Sequence, residues 1–247
     1  MHILVTRPEE DAGELKEKLE ARGHRVSLAP LIEIEFLPVP PESFDAGAVL
    51  VATSRNGLRA LARSSAFDAA RALPLFVVGQ ASARLAQDLL FRDVVAGPGR
   101  AAELAPVVLD YVKGCGRRVM LVTGEDTAFD MEAYLRSRDI PVQSVVAYRG
   151  RPAAVLPASV LDGVKQGDVD AVILMSARTA AAWMSLAAKS DLGPHLGQIT
   201  HLCLSETIAR AVQTCDLGQP FRPRIKTARR PEIEEILALA GGLAAQS

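Results

Sequence analysis

Small, hydroxylated and glycine residues recur at the points where predicted strands end, and several of these ends add an arginine. Thr53, Ser54 and Arg55 follow one apolar run, and Ser176 and Arg178 follow another. Residues of these types cap helices, whose free N–H groups then point to the ligand side of the sheet. Helix N-termini attract anions through these groups and through the helix dipole. The pattern predicts a ligand with many carboxylates, although plain helix capping explains any single position equally well.

Tyr148 is the residue whose position suggests acid catalysis. It ends a predicted strand just where the chain enters a proline-rich linker, so we expect it to face the gap between two lobes. A phenol at such a place can donate a proton to a leaving hydroxyl group. An aromatic contact that fixes the linker to a lobe explains the position equally well.

The composition argues against several function classes. The net charge is −1, so we do not expect the chain to bind nucleic acid through an overall positive charge. Aromatic residues make up 4%, so a surface that stacks on bases is not expected either. No apolar run is long enough to span a membrane. The charge of Arg7 interrupts the first apolar run after only a few residues, which leaves no room for the apolar segment of an export signal. The three cysteines form no CxxC motif, and the four histidines lack metal-ligand spacing. We therefore expect a cytoplasmic protein with reduced thiols and no metal.

Nucleotide-binding motifs do not fit their expected context. Residues 97–102 match G-x-G-x-x-A, but the match contains Pro98 and comes late in its series of strands and helices. The dinucleotide fingerprint belongs at the first strand–helix turn. A nucleotide-using Rossmann enzyme is therefore a weak alternative. A non-catalytic, two-lobed binder of small polycarboxylates stays open as the other one.

Short segments recur in the same order in the two halves of the chain, and their offset changes only slowly. The recurrence predicts an internal repeat in which Arg55 and Arg178 occupy the same position. The paired segments are residues 3–6 and 120–123, 26–28 and 142–146, 48–55 and 171–178, 78–84 and 204–210, and 100–104 and 229–233.

Each copy reads as strand–helix–strand, a proline-rich linker, and three further strand–helix units. The strands are short apolar runs, as expected where both faces of a sheet are covered. Helices that alternate with such strands indicate parallel sheets. The predicted fold class is α/β, with two doubly wound parallel-sheet lobes of the flavodoxin-like type joined by an extended linker of two segments.

Five short motifs, taken together in their order and spacing, are specific. They are Val-Thr-Arg-Pro at 5–8, Thr-Ser at 53–54, Val-Gly-x-x-Ser-Ala at 78–83, Val-x-Tyr-Arg at 146–149 and Ser-Ala-Arg at 176–178. With these motifs the chain resembles the uroporphyrinogen-III synthase family over essentially its whole length. Members of that family fold as two α/β lobes joined by a pair of crossing strands. The resemblance implies one discontinuous lobe of residues 1–33 and 152–247, and a second lobe of residues 34–151.

The resemblance also implies an activity. The family closes linear hydroxymethylbilane, which is rich in acetate and propionate groups, to uroporphyrinogen III, with loss of water and inversion of the last pyrrole ring. It uses no metal or organic cofactor, and we expect a monomer without nucleic-acid or membrane partners. Tyr148 is then the acid that helps the hydroxyl group leave. The implied substrate contacts are Arg7, Thr53, Ser54, Arg55, Gly79, Ser82, Ser176, Arg178, Ser205 and Thr207.

The turn at residues 204–209 departs from the family pattern. Ser205 replaces a glycine, Ile208 replaces a hydroxyl residue, and Thr207 lies one position early. Glu206 is awkward beside an anionic substrate unless it points outward. Ser205 and Ile208 slightly favour the non-catalytic binder over an enzyme of tetrapyrrole (heme, siroheme or corrinoid) biosynthesis.

Overall fold

Strands and helices alternate along the chain in the computed structural model, which describes residues 1–41, 44, 47–215 and 222–244. The chain divides into two units by its internal contacts. The first unit joins Met1–Glu33 to Arg151–Ser247, and the second unit is Ile34–Gly150.

The elements are numbered here in chain order. The strands are β1 (His2–Val5), β2 (Arg25–Leu28), β3 (Ile32–Phe36), β4 (Val49–Ala52), β5 (Leu75–Val77), β6 (Val94–Ala96), β7 (Val119–Gly124), β8 (Val142–Pro152), β9 (Ala171–Leu174), β10 (Thr200–Cys203) and β11 (Arg224–Thr227). The helices are α1 (Glu9–Glu20), α2 (Arg55–Ala62), α3 (Phe67–Arg71), α4 (Gln80–Asp88), α5 (Ala101–Cys115), α6 (Met131–Arg136), α7 (Ala158–Lys165), α8 (Ala177–Lys189), α9 (Gly193–Leu196), α10 (Glu206–Gln213) and α11 (Ile233–Ala244).

The sheet of the first unit is parallel throughout, in the order β11-β10-β9-β1-β2. Alternate residues of β1 enter different cores. Leu4 packs in the cluster that contains Trp183 of α8, whereas Ile3 and Val5 pack with Leu15 of α1. Both faces of the sheet are therefore covered by helices, which is why its central strands read as unbroken apolar runs.

The second unit repeats this plan, with a six-stranded sheet in the order β3-β8-β7-β4-β5-β6. From β8 to β6 the strands are parallel. Leu50 of β4 packs in the cluster that contains Leu58 of α2, whereas Val49 and Val51 pack with Val108 of α5. The predicted α/β class with parallel sheets flanked by helices is confirmed. The internal repeat stays a prediction. The strands that it pairs lie in the same spatial order in the two sheets, β2-β1-β9-β10-β11 and β8-β7-β4-β5-β6, although the chain visits them in a different order.

The edge strand β3 pairs with β8 and runs antiparallel to it. Leu37 N donates to Ala147 O at 2.9 Å, and Ala153 N donates to Leu31 O at 3.0 Å. Leu31, Leu37 and Ala153 lie in segments that the sequence predicts as the extended linker. Ala147 lies on the predicted strand that leads into it. Pairing satisfies backbone groups that an isolated extended segment would leave to water.

No helix in the described ranges is long and apolar enough to cross a membrane.

Candidate functional site

Tyr148 lies at a β-bulge, where the register between β7 and β8 shifts. Thr123 pairs with Val146, but the next residue, Gly124, pairs with Tyr148. Ala147 is therefore the extra residue on β8. Bulges bend a strand and change the direction of its side chains, and they are common beside active sites.

The backbone at the bulge is held from both neighbouring segments. On one side Ala147 O accepts a hydrogen bond from Leu37 N at 2.9 Å, and on the other Tyr148 O accepts one from Glu125 N at 3.0 Å. The side chain of Ala147 is fully buried in the core. The Tyr148 ring thus projects from an anchored stretch of main chain.

A cavity of about 490 Å³ lies in the second unit at the carboxyl ends of its strands. Each of the five parallel strands contributes to its wall, either by its own residues or by the turn that follows it. Ligands bind at this edge in open α/β sheets. The cavity is lined by Thr53, Val78, Gly99, Arg100, Ala101, Ala102, Asp126, Thr127, Ala128, Phe129 and Tyr148.

Glycines let two turns at this edge approach each other closely. A Cβ atom added to Gly79 would lie 3.2 Å from the Cα atom of Gly99, and one added to Gly97 would lie 2.8 Å from Leu104 Cδ1. Gly99 has φ +129°, a conformation that side chains rarely adopt. Gly79, predicted as a substrate contact, therefore supports the turn that lines the cavity.

The first turn of α5 offers hydrogen-bond donors to the cavity. The hydrogen bonds of this helix begin with Glu103 N and Leu104 N, which both donate to Arg100 O. The amides of Ala101 and Ala102 precede that ladder, and both residues line the cavity. Arg100 adds a guanidinium group, so this wall suits a carboxylate.

Three other predicted residues of the second unit lie beside the cavity rather than in its lining. Ser54 caps α2, because its Oγ accepts from Asn56 N at 3.1 Å and from Gly57 N at 3.4 Å. Arg55 is the first residue of that helix. Ser82, on the first turn of α4, is 4% exposed.

The remaining predicted contacts lie at the strand ends of the first unit. Arg7 follows β1, where its Nη1 lies 3.8 Å from Met175 Sδ and its Nη2 lies 3.9 Å from an Asp11 carboxylate oxygen. Ser176 caps α8, since its Oγ accepts from Thr179 N at 3.0 Å. Arg178 is exposed on the first turn of that helix.

The turn that departs from the family pattern has a simple structural explanation. Ser205 is the N-cap residue of α10 and makes no side-chain capping bond, whereas Thr207 and Glu206 are exposed on the first turn. Ile208 is 5% exposed and packs in the core, and Ser82, at the corresponding point of α4, is likewise buried. Replacing a hydroxyl residue by Ile208 therefore removes no exposed group. Glu206 also suits the positive end of the helix dipole.

Sequence reasoning did not single out several residues of the cavity wall. Arg100 follows the Gly97–Pro98–Gly99 turn. The sequence indicates a strand end at this turn, but the only ligand motif considered there was the nucleotide-binding one. Asp126 and Thr127 come shortly after β7, so the rule that ligands bind at strand ends would also have predicted them. Phe129 lies further along its loop, and no sequence signal indicates it.

The buried histidine and cysteine of the first unit belong to the core. His201 Nε2 accepts from Trp183 Nε1 at 3.2 Å, and burial lowers the pKa of this histidine to about 4. Burial raises the pKa of the Cys203 thiol to about 12. Both side chains are therefore uncharged near neutral pH. Among the described residues, no group of three or more His, Cys, Asp or Glu side chains is arranged to hold a metal ion.

Comparison with models of known families shows which family the chain belongs to. A family model described as uroporphyrinogen-III synthase HemD (HEM4) matches residues 13–237. The chain belongs to the uroporphyrinogen-III synthase family. The resemblance found in the sequence is confirmed, and membership makes the chain an enzyme of heme biosynthesis. No curated protein sequence matched the chain.

Solved structures of uroporphyrinogen-III synthases share this fold. The enzyme from Helicobacter pylori is similar over 98% of this chain and 99% of its own, with a TM-score of 0.65 and 18% identity. A mutant of the enzyme from Thermus thermophilus is similar over 100% of both chains, with a TM-score of 0.53 and 16% identity. At these identities the similarity establishes the fold.

Proposed function

We propose that the chain converts linear hydroxymethylbilane to uroporphyrinogen III, with loss of water and inversion of the last pyrrole ring. The observation that carries this proposal is the family match over residues 13–237. The cavity of the second unit supports it, because Tyr148 and the first turn of α5 line the same space. A proton donor and a carboxylate-binding wall are what this substrate requires.

Tyr148 acts as the general acid in this proposal. Its O–H group donates a proton to the hydroxymethyl oxygen while the C–O bond breaks, so that water leaves. The electrons of the adjoining pyrrole stabilise the cationic azafulvene that remains. The substituted carbon of the terminal ring then attacks to give a spiro intermediate. Fragmentation and reclosure at the free carbon invert that ring, and the proton released returns to the Tyr148 oxygen.

The rest of the site folds a flexible chain so that its two ends meet. Correct positioning of two reacting groups contributes about 7–11 kcal/mol to catalysis. Arg100 and the amides of Ala101 and Ala102 bind one substrate carboxylate near Tyr148. Residues at further strand ends are proposed to bind the others. These proposed contacts are Arg7, Thr53, Ser54, Arg55, Gly79, Ser82, Ser176, Arg178, Ser205 and Thr207.

The reaction class is that of a cofactor-independent hydro-lyase. Pyrrole electrons assist departure of the hydroxyl group, so the protein has to supply an acid and a shape. Enzyme dialysed against a chelator is expected to keep its full rate. We also propose that the enzyme is a cytoplasmic monomer, which light scattering and cell fractionation test.

One assay tests the proposed function directly. Freshly prepared hydroxymethylbilane is mixed with the protein, and the type I and type III products are separated after oxidation to porphyrins. The type III isomer is expected to form in proportion to the protein. Formation of the spontaneous type I isomer alone overturns the proposal, and substrate binding without turnover favours the polycarboxylate binder.

A further inference from the structure

Gly124, the last residue of β7, stands directly against the ring of Tyr148. A Cβ atom built on Gly124 would lie 2.6 Å from Tyr148 Cζ, 2.8 Å from Cε2 and 2.8 Å from the phenolic oxygen. Side-chain atoms do not approach one another so closely. The contact involves the end of the ring that bears the hydroxyl group.

The backbone gives no other reason for a glycine at this position. Gly124 does not have a positive φ, in contrast to Gly99 and Gly116 in the same unit. The extra residue of the bulge, Ala147, is on the opposite strand. Glycine within a strand is unfavourable, and it often marks a point where another group approaches closely. Here that group is the phenol.

We propose that Gly124 is a positioning residue for the reaction: the absence of its side chain creates the place that the Tyr148 ring occupies, and so fixes the hydroxyl group in the cavity. This inference rests on the proposed role of Tyr148 as the acid. The bulge and the hydrogen bond from Glu125 N fix the backbone of Tyr148, and Gly124 fixes the far end of its side chain. The phenol is thereby held at both ends.

The kinetic test replaces Gly124 by alanine, which its backbone conformation accepts. The added methyl group displaces the phenol, so Gly124→Ala is expected to lower kcat about tenfold while changing KM less than about twofold. The control is Gly114→Ala in α5, because a Cβ atom there meets nothing within 4 Å. This control is expected to keep the wild-type kcat.

A double variant separates positioning from a general structural defect. If Gly124 acts through the Tyr148 hydroxyl group, Gly124→Ala adds no further loss of kcat to Tyr148→Phe. If the two losses multiply, the proposal is overturned. If Tyr148→Phe alone keeps the wild-type kcat, both the acid role and the positioning role fail. If Tyr148→Phe is slow but Gly124→Ala is not, only the positioning role fails.

Fluorine NMR measures the displacement without reference to activity. The chain has three tyrosines, so protein labelled with 3-fluorotyrosine gives three sites, and Tyr148→Phe identifies the signal of Tyr148. Gly124→Ala is expected to shift that signal and to leave those of Tyr111 and Tyr134 in place. An unmoved Tyr148 signal overturns the proposal. Where Gly124→Ala does not fold, Gly124→Ala/Tyr148→Ala is expected to restore folding, and its failure to do so overturns the proposal.

Discussion

Arg149 and Glu35 form a bidentate ion pair between β8 and β3. Arg149 Nε lies 2.6 Å from Glu35 Oε2, and Arg149 Nη2 lies 2.7 Å from Glu35 Oε1. The antiparallel register places the two residues opposite each other, and Arg149 directly follows Tyr148. The carboxylate raises the pKa of the Arg149 guanidinium above its usual value. The pair therefore joins the edge strand to the strand that carries the proposed acid.

Glu35→Gln is expected to lower the melting temperature by less than about 3 °C, because both side chains are partly exposed and such pairs contribute little. The loss should shrink further in concentrated salt, which screens exposed charges. Thermal unfolding at low and high salt measures both effects. Glu33→Gln, on the same strand, is the matched control. Equal losses in the two variants would show that the pair with Arg149 contributes nothing.

The fold class was predictable because both faces of most strands are covered. Such strands, for example β1 and β4, consist of unbroken apolar residues and are recognisable without their neighbours. The pairing of β3 with β8 was not predictable in the same way. It depends on a partner more than a hundred residues away, and residues 32–36 alone indicate only an extended segment.

The candidate site was also predictable only in part. Thr53 and Tyr148 follow from the rule that ligands bind at strand ends, and the structure brings both into one cavity. The bulge at Ala147 and the contact between Gly124 and Tyr148 depend on how two strands are registered. Register of this kind is a property of the assembled sheet, so no local motif reveals it.

Tyr148→Phe is expected to lower kcat about 100-fold while leaving the affinity for product nearly unchanged, since the change removes the hydroxyl group that donates the proton and keeps the ring. Turnover under saturating substrate and product titration measure the two quantities. Tyr111→Phe, in α5, is the control and should have the wild-type rate. An unchanged kcat in Tyr148→Phe removes this residue from the mechanism.

Ser54 permits a test that separates helix capping from substrate binding. Ser54→Ala removes the acceptor for Asn56 N and Gly57 N and should cost about 1 kcal/mol of stability. Ser54→Asp keeps a capping oxygen and should preserve stability, but its negative charge repels the substrate carboxylates. We expect KM to rise in Ser54→Asp. If KM is unchanged in this variant, Ser54 is a cap alone.

Arg178→Ala is expected to raise KM about three- to tenfold, because an exposed guanidinium at the start of α8 loses its charge-assisted contact with a carboxylate. The effect should be larger at low salt, where charges are less screened. Lys165→Ala removes one positive charge from the end of α7 and is the control. A similar rise in both variants would indicate a long-range effect of net charge rather than a contact.

His201 predicts how stability changes below neutral pH. Burial lowers its pKa to about 4 in the folded chain from an ordinary value of 6.5, so the folded state keeps the ring neutral. The unfolded chain binds a proton first as the pH falls, and stability is lost between about pH 6.5 and pH 4, by about 3 kcal/mol. His201→Gln retains a group that can accept from Trp183 Nε1 but does not titrate. Urea unfolding across this pH range should therefore show a shallower loss in the variant, and parallel curves for the two proteins would mean that His201 does not cause it.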